Sequence, residues 1–148
     1  MAAYKHILVA ADLIAKDDDP VVSKALELAG TNAGCQISLI HVVEPVYNYG
    51  GPYVAGDVSQ WQEELEKSAE SSLSKLGEKL GVPVERQHLP TGQPKHHIIA
   101  TANQVGADLI LIGSHGRHGL NLLLMGSTAN AVLHHANCDV LCVRVQEN

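Results

Sequence analysis

Five short apolar runs, separated by stretches of helical periodicity, limit the possible folds of this chain more than any other feature. The runs are "HILVAAD" (6–12), "QISLIHVV" (36–43), "VPVERQHL" (82–89), "DLILI" (108–112) and "DVLCVRV" (139–145). Short, nearly continuous apolar runs rich in β-branched residues read as strands buried on both faces. The third run is the weakest, because it alternates and carries a Pro near its start.

Each gap holds helix signals. "DDDP" (17–20) places three acids and Pro20 where the positive end of a helix dipole favours them, and Val22, Ala25, Leu26 and Ala29 follow at helical spacing. Gly30 or Gly34 ends that helix. Trp61, Leu65, Ala69, Leu73, Leu76 and Leu80 form one apolar stripe closed by Gly81. Pro94 opens a third helix with Ile98, Ile99 and Ala102 facing inward and Gly106 as its stop. "STANAVLHHA" (127–136) is a fourth, capped by Ser127 or Thr128, with His134 and His135 near its negative end. The result is β-α-β-α-β-α-β-α-β. That is an α/β fold with a five-stranded, mostly parallel open sheet and helices on both faces. The 148 residues suit one domain, 1–148. In such sheets ligands bind beyond the carboxyl ends of the strands, where strand order reverses.

The formal charge is -6 and the ten Lys and Arg are scattered. Without a basic stripe to displace counterions, nucleic acid is not an expected partner. Cys35, Cys138 and Cys142 form no CxxC pair, which suits a reducing compartment rather than a disulfide scaffold. The opening "MAAYKHILVAAD" lacks the pattern of a signal peptide. No stretch approaches the ~18 apolar residues of a membrane span. A soluble cytoplasmic protein is expected. Nine His tempt a metal hypothesis, but adjacent His on a helix point about 100° apart, so His96–His97 and His134–His135 do not readily share one ion. No metal site and no catalytic residue is assigned. There is no GxSxG, and "HHII" is not the nucleotidyl-transfer HIGH pattern.

The stretch most suggestive of chemistry is "GSHGRHGLNLLLMGST" (113–128), directly after the fourth apolar run. Gly113 and Gly116 allow a backbone to turn and to approach a ligand without a Cβ. Gly126, Ser127 and Thr128 lie where a helix begins, and its free N–H groups and dipole attract phosphate. Arg117, His115 and His118 are all placed to reach such a group. The spacing is neither Walker A, GxxxxGK[ST], nor the dinucleotide fingerprint GxGxxG. Read alone, it is equally an ordinary connection with glycine turns and a Ser cap.

The spacing G-x2-G-x9-G-[ST] after a late apolar strand resembles the ATP-binding signature of the universal stress protein family. The opening "YKHILVAADL", the second-strand "SLIHVVEP" and "ADLILIGSHGRHGLNLLLMGSTANAVLHHANCDVLCVR" match that family too, so the resemblance spans essentially the whole chain. It implies a Rossmann-like sheet of the adenine nucleotide alpha hydrolase kind, with strand order 3-2-1-4-5. It also implies a nucleotide site. Asp12 with Ala11 beside it would line the adenosine pocket, and Val42 would pack near adenine. Gly113, His115, Gly116, Arg117, Gly126, Ser127 and Thr128 would hold ribose and phosphates. The implied ligand is ATP, or AMP or ADP, accompanied by Mg²⁺. One departure stands out: "AAD" occupies the place where many nucleotide-binding members carry Pro-Thr before the acid. That opening resembles a subgroup that does not bind ATP, but the subgroup lacks the glycine signature that is intact here.

The last apolar run suits an exposed edge strand, which invites pairing with another chain. The resemblance implies a homodimer joined antiparallel through the strand between Val140 and Val145. The expected function is therefore a stress-response regulator that binds an adenine nucleotide as a homodimer, with an unknown protein partner. A slow ATPase or autophosphorylating enzyme and a nucleotide-free dimerising adaptor are the alternatives. The Tyr-rich segment 44–57 is long for a connection within a compact domain. It reads as a connecting segment, with a lid or a partner surface as the functional alternatives.

Overall fold

The structure, a computed structural model, describes residues 4–13, 20–30, 33–45, 58–114 and 127–144. Strands β1 (His6–Ala10), β2 (Gln36–Ile40), β3 (Gln87–His88), β4 (Leu109–Gly113) and β5 (Asp139–Val143) form one sheet in the order β3-β2-β1-β4-β5. Every pairing between them is parallel. Helices α1 (Pro20–Gly30), α2 (Val58–Leu80), α3 (Pro94–Val105) and α4 (Ser127–His135) cover the two faces.

The period of two along each strand sorts side chains between the faces. Ile7, Val9, Ile37, Leu39, Leu109 and Leu111 face α1 and α2, packing with Val21, Ala25 and Leu73. Leu8, Ile40, Ile110 and Ile112 face α3 and α4, packing with Ile98, Ala102, Ala129 and Val132. Because β1 and β4 lie inside the sheet, their apolar residues are shielded on both sides, which explains why those runs do not alternate in polarity. The sheet's starting edge is tied by Asp108, whose carboxylate accepts the backbone N–H groups of Lys5 (2.9 Å) and His6 (3.0 Å).

Most strands stop earlier than their apolar runs. The third is the extreme case. Residues Val84–Arg86 form a single 3-10 turn, and only Gln87 and His88 pair with Leu39 and Ile40. Pro83 lacks an N–H, and the turn consumes the residues that follow it. α3 ends as expected, with Gly106 in the left-handed conformation (φ 72°) that favours glycine. Segment 14–19, most of the Tyr-rich segment (46–57), and residues 115–126 and 145–148 lie outside the described residues.

Candidate functional site

Strand order reverses between β1 and β4: one chain direction leads outward through β2 to β3, the other to β5. In a parallel sheet the connecting helices run back against the strands, so their N-termini gather at the strands' carboxyl edge. The exits of β1 and β4 and the first turn of α4 therefore share that edge, the usual place for a ligand in this architecture.

Ala11 follows directly on β1 and is 7% exposed. Its N–H bonds the Ile40 carbonyl at 2.9 Å. Its own carbonyl lies 2.9 Å from His41 Nδ1. Since a carbonyl only accepts, the imidazole donates from Nδ1. Asp12 follows, half-buried. Val42 is half-buried and packs against the cluster that holds Ile40, Ile112 and Ala129. Its neighbour Val43 bridges to Thr91, with Val43 N–H bonding Pro90 carbonyl (2.9 Å) and Gly92 N–H bonding Val43 carbonyl (3.0 Å). These bonds fasten the approach to α3 against the exit of β2. Gly92 takes φ 151°, a conformation that L side chains rarely adopt, and a Cβ there would also have to displace the His97 ring. Thr91 Oγ1 donates to Glu66 Oε1 at 3.2 Å, which links this rim to α2.

On the other side of the reversal, Gly113 is the last residue of β4 and pairs with Val143. It lies in the sheet rather than in a turn. Ser114 N–H bonds the Val143 carbonyl at 2.9 Å. Ser127, exposed, and Thr128, half-buried, open α4. Ala11, Asp12, Val42, Gly113, Ser127 and Thr128 are thus gathered at one edge of the sheet. His115, Gly116, Arg117 and Gly126 lie outside the described residues. His41 was not among the residues expected at the site. Its signal was a polar ring at the exit of an apolar strand, but its partner Ala11 is far away in sequence.

Groups with displaced proton affinity lie mostly at the opposite edge. Burial, with Arg86 adding to it, lowers the pKa of His6. Burial opposes the charge of Asp108, but the Lys5 and His6 N–H bonds outweigh it and hold its carboxyl below the usual range. Burial raises the thiols of Cys35 and Cys138. All of these flank strand starts, so the shifts reflect how strands are anchored. Among the described residues, no three of His, Cys, Asp and Glu come together to hold a metal ion. No described helix is long and apolar enough to cross a membrane.

The sheet order and the helices on both faces define a doubly wound α/β protein with its topological switch point between β1 and β4. The model of the universal stress protein family matches residues 3–144. Universal stress protein A homolog 2 of Coxiella burnetii is 42% identical over 146 residues, covering 99% of each chain. The chain belongs to the universal stress protein family. Among solved structures, universal stress protein UspA from Lactobacillus plantarum superposes with a TM-score of 0.76 at 24% identity, covering 97% of this chain and 100% of its own. A universal stress protein crystallised in complex with cAMP superposes with a TM-score of 0.57 at 20% identity, covering 96% of this chain and 98% of its own.

Proposed function

We propose that the protein binds ATP, or a related adenine nucleotide, at the carboxyl edge of β1 and β4, and acts as a nucleotide-dependent regulator of a cytoplasmic stress response. The observation that carries this reading is the gathering of Ala11, Asp12, Val42, Gly113, Ser127 and Thr128 at the switch point, in a chain whose sequence carries the G-x2-G-x9-G-[ST] spacing from Gly113 to Ser127. The first turn of α4 carries N–H groups that lack intrahelical partners, and two hydroxyls, all suited to a phosphate. Asp12 and those hydroxyls are hard oxygen donors of the kind Mg²⁺ prefers. Arg117, His115, Gly116 and Gly126 complete the site by sequence. The cAMP complex of a fold neighbour supports an adenine nucleotide as the ligand class.

The same reading makes the protein a homodimer joined through β5. β5 ends the sheet, no described strand pairs with its outer side, and Leu141 on it is 37% exposed.

Mass spectrometry of what the purified protein releases on denaturation, followed by titration with ATP and Mg²⁺, tests the reading. A near-stoichiometric adenine nucleotide, lost in Gly126→Val while the protein stays folded, is the expected result. No nucleotide, and no binding at millimolar ATP, leaves the glycine spacing without a ligand to hold. Turnover above roughly 1 s⁻¹, an ordinary enzyme rate, would make the protein an enzyme instead.

A further inference from the structure

The backbone ladder between β1 and β2 stops at the pair Ala10–Ile40. Ala11 lies one step beyond it, yet both of its backbone groups are held from the β2 side. Its N–H goes to the Ile40 carbonyl and its carbonyl receives His41 Nδ1–H, each at 2.9 Å. A ring nitrogen thus stands in for the next rung. The first bond holds the Ala10–Ala11 peptide, and the second, from His41, sets the plane of the peptide that joins Ala11 to Asp12. That peptide cannot flip without breaking the His41 bond in a largely buried place, where an unpaired carbonyl is costly.

We propose that His41 is a positioning residue of the nucleotide site: it orients the Ala11–Asp12 peptide so that this edge is preformed before ligand arrives. The role rests on the nucleotide-binding reading above. It is separable from folding, because the core on both faces of β1 and β2 is formed by Ile7, Leu8, Val9, Leu39 and Ile40, all essentially inaccessible to solvent, whereas His41 itself is only half-buried. A preformed edge lowers the ordering cost of binding, so its loss should appear in affinity before it appears in stability. The bond also dictates the ring's proton. His41 carries it on Nδ1 and leaves Nε2 as the acceptor when neutral.

The test uses the full-length protein, its His41→Leu and His41→Asn variants, and ATP with Mg²⁺ as the probe. Nitrogen-15 spectra of the imidazole report the tautomer, calorimetry the affinity and urea titration the stability. Asn offers an N–H near the place of Nδ1. The expected result is a ring protonated at Nδ1, roughly tenfold weaker ATP binding in His41→Leu, and recovery of most of that loss in His41→Asn. If the wild type binds ATP and His41→Leu binds it equally well, or the neutral ring carries its proton on Nε2, the positioning role is overturned while the nucleotide reading stands. If both variants lose affinity and stability together, His41 is a packing residue and the role is overturned as well. If the wild type binds no adenine nucleotide, the nucleotide reading fails, and the positioning role with it.

Discussion

Ser38 is fully buried in β2, and its Oγ lies 2.6 Å from Nε2 of His6 on β1. A buried hydroxyl without a partner is destabilising, so the pair is worth more than either group alone. Removing the ring in His6→Leu is expected to cost roughly 1–3 kcal/mol in urea titration, with Ser38→Ala in the same chain restoring part of the loss. His88 presents the opposite case. Its Nε2 is buried without a hydrogen-bond partner among the described residues. His88→Leu is expected to be neutral or stabilising by up to about 1 kcal/mol, since it removes an unsatisfied nitrogen at little cost in shape. A clear loss of stability in that variant would mean that the ring has a partner in solution. Neither histidine could be ranked from sequence, because each one's value depends on what stands opposite it across strands.

At the scale of elements, α2 shows where periodicity is legible and where it misleads. The stripe Trp61, Leu65, Ala69, Leu73, Leu76 and Leu80 reads as one core-facing surface. In the structure only its second half meets the core: Leu73 is 3% exposed, but Leu65 is 39% and Trp61 48%. The reason is length. A helix of 23 residues spans ~35 Å. Strands of five residues span only ~17 Å. The helix overhangs the sheet, and its first turns outrun the surface they would pack on. Leu73→Ala is therefore expected to cost about 2–4 kcal/mol, and Trp61→Ala less than about 1 kcal/mol, in the same urea titration. The first helix shows a smaller version of this effect. Leu26, expected to face inward, is exposed, and Val21 takes a core place instead. β5 has a prediction of its own. If the homodimer forms along its free edge, Leu141→Lys places a charge in the seam and light scattering should report monomers at concentrations where the wild type is dimeric. A wild type that is itself monomeric would remove the dimer.

For the whole molecule, the two perturbed histidines set a pH dependence. Burial first, and Arg86 second, lower the pKa of His6, and burial lowers that of His88. A lowered folded pKa means that the unfolded chain binds more protons over the interval between the two values. Their contribution is complete above the unfolded value of about 6.5 and is lost as pH falls toward the folded values. Asp108, held below its usual range, adds a second loss at more acidic pH, below about 3.9. The urea midpoint should accordingly fall between pH 7 and pH 5, and a chain carrying both His6→Leu and His88→Leu should lose most of that slope. An unchanged slope in the double variant would assign the acid sensitivity to other groups.

Local sequence was enough to dictate the alternation of elements, the helix stop at Gly106 and the parallel class of the sheet. These follow from periodicity and from backbone conformations that only certain residues adopt, and both are properties of neighbours along the chain. The spacing from Gly113 to Thr128 likewise marked a stretch that begins at a strand end and finishes in a helix start. Three-dimensional packing was needed to shrink β3 to two residues, to make α2 overhang the sheet, and to place Gly113 in β4 rather than in a turn. It alone brought His41 to the Ala11 carbonyl and His6 to Ser38, pairs separated by 30 and 32 residues. Such contacts depend on strand neighbours and register, and a parallel sheet sets these by burying apolar surface on both faces at once, a condition that no single stretch of chain can express.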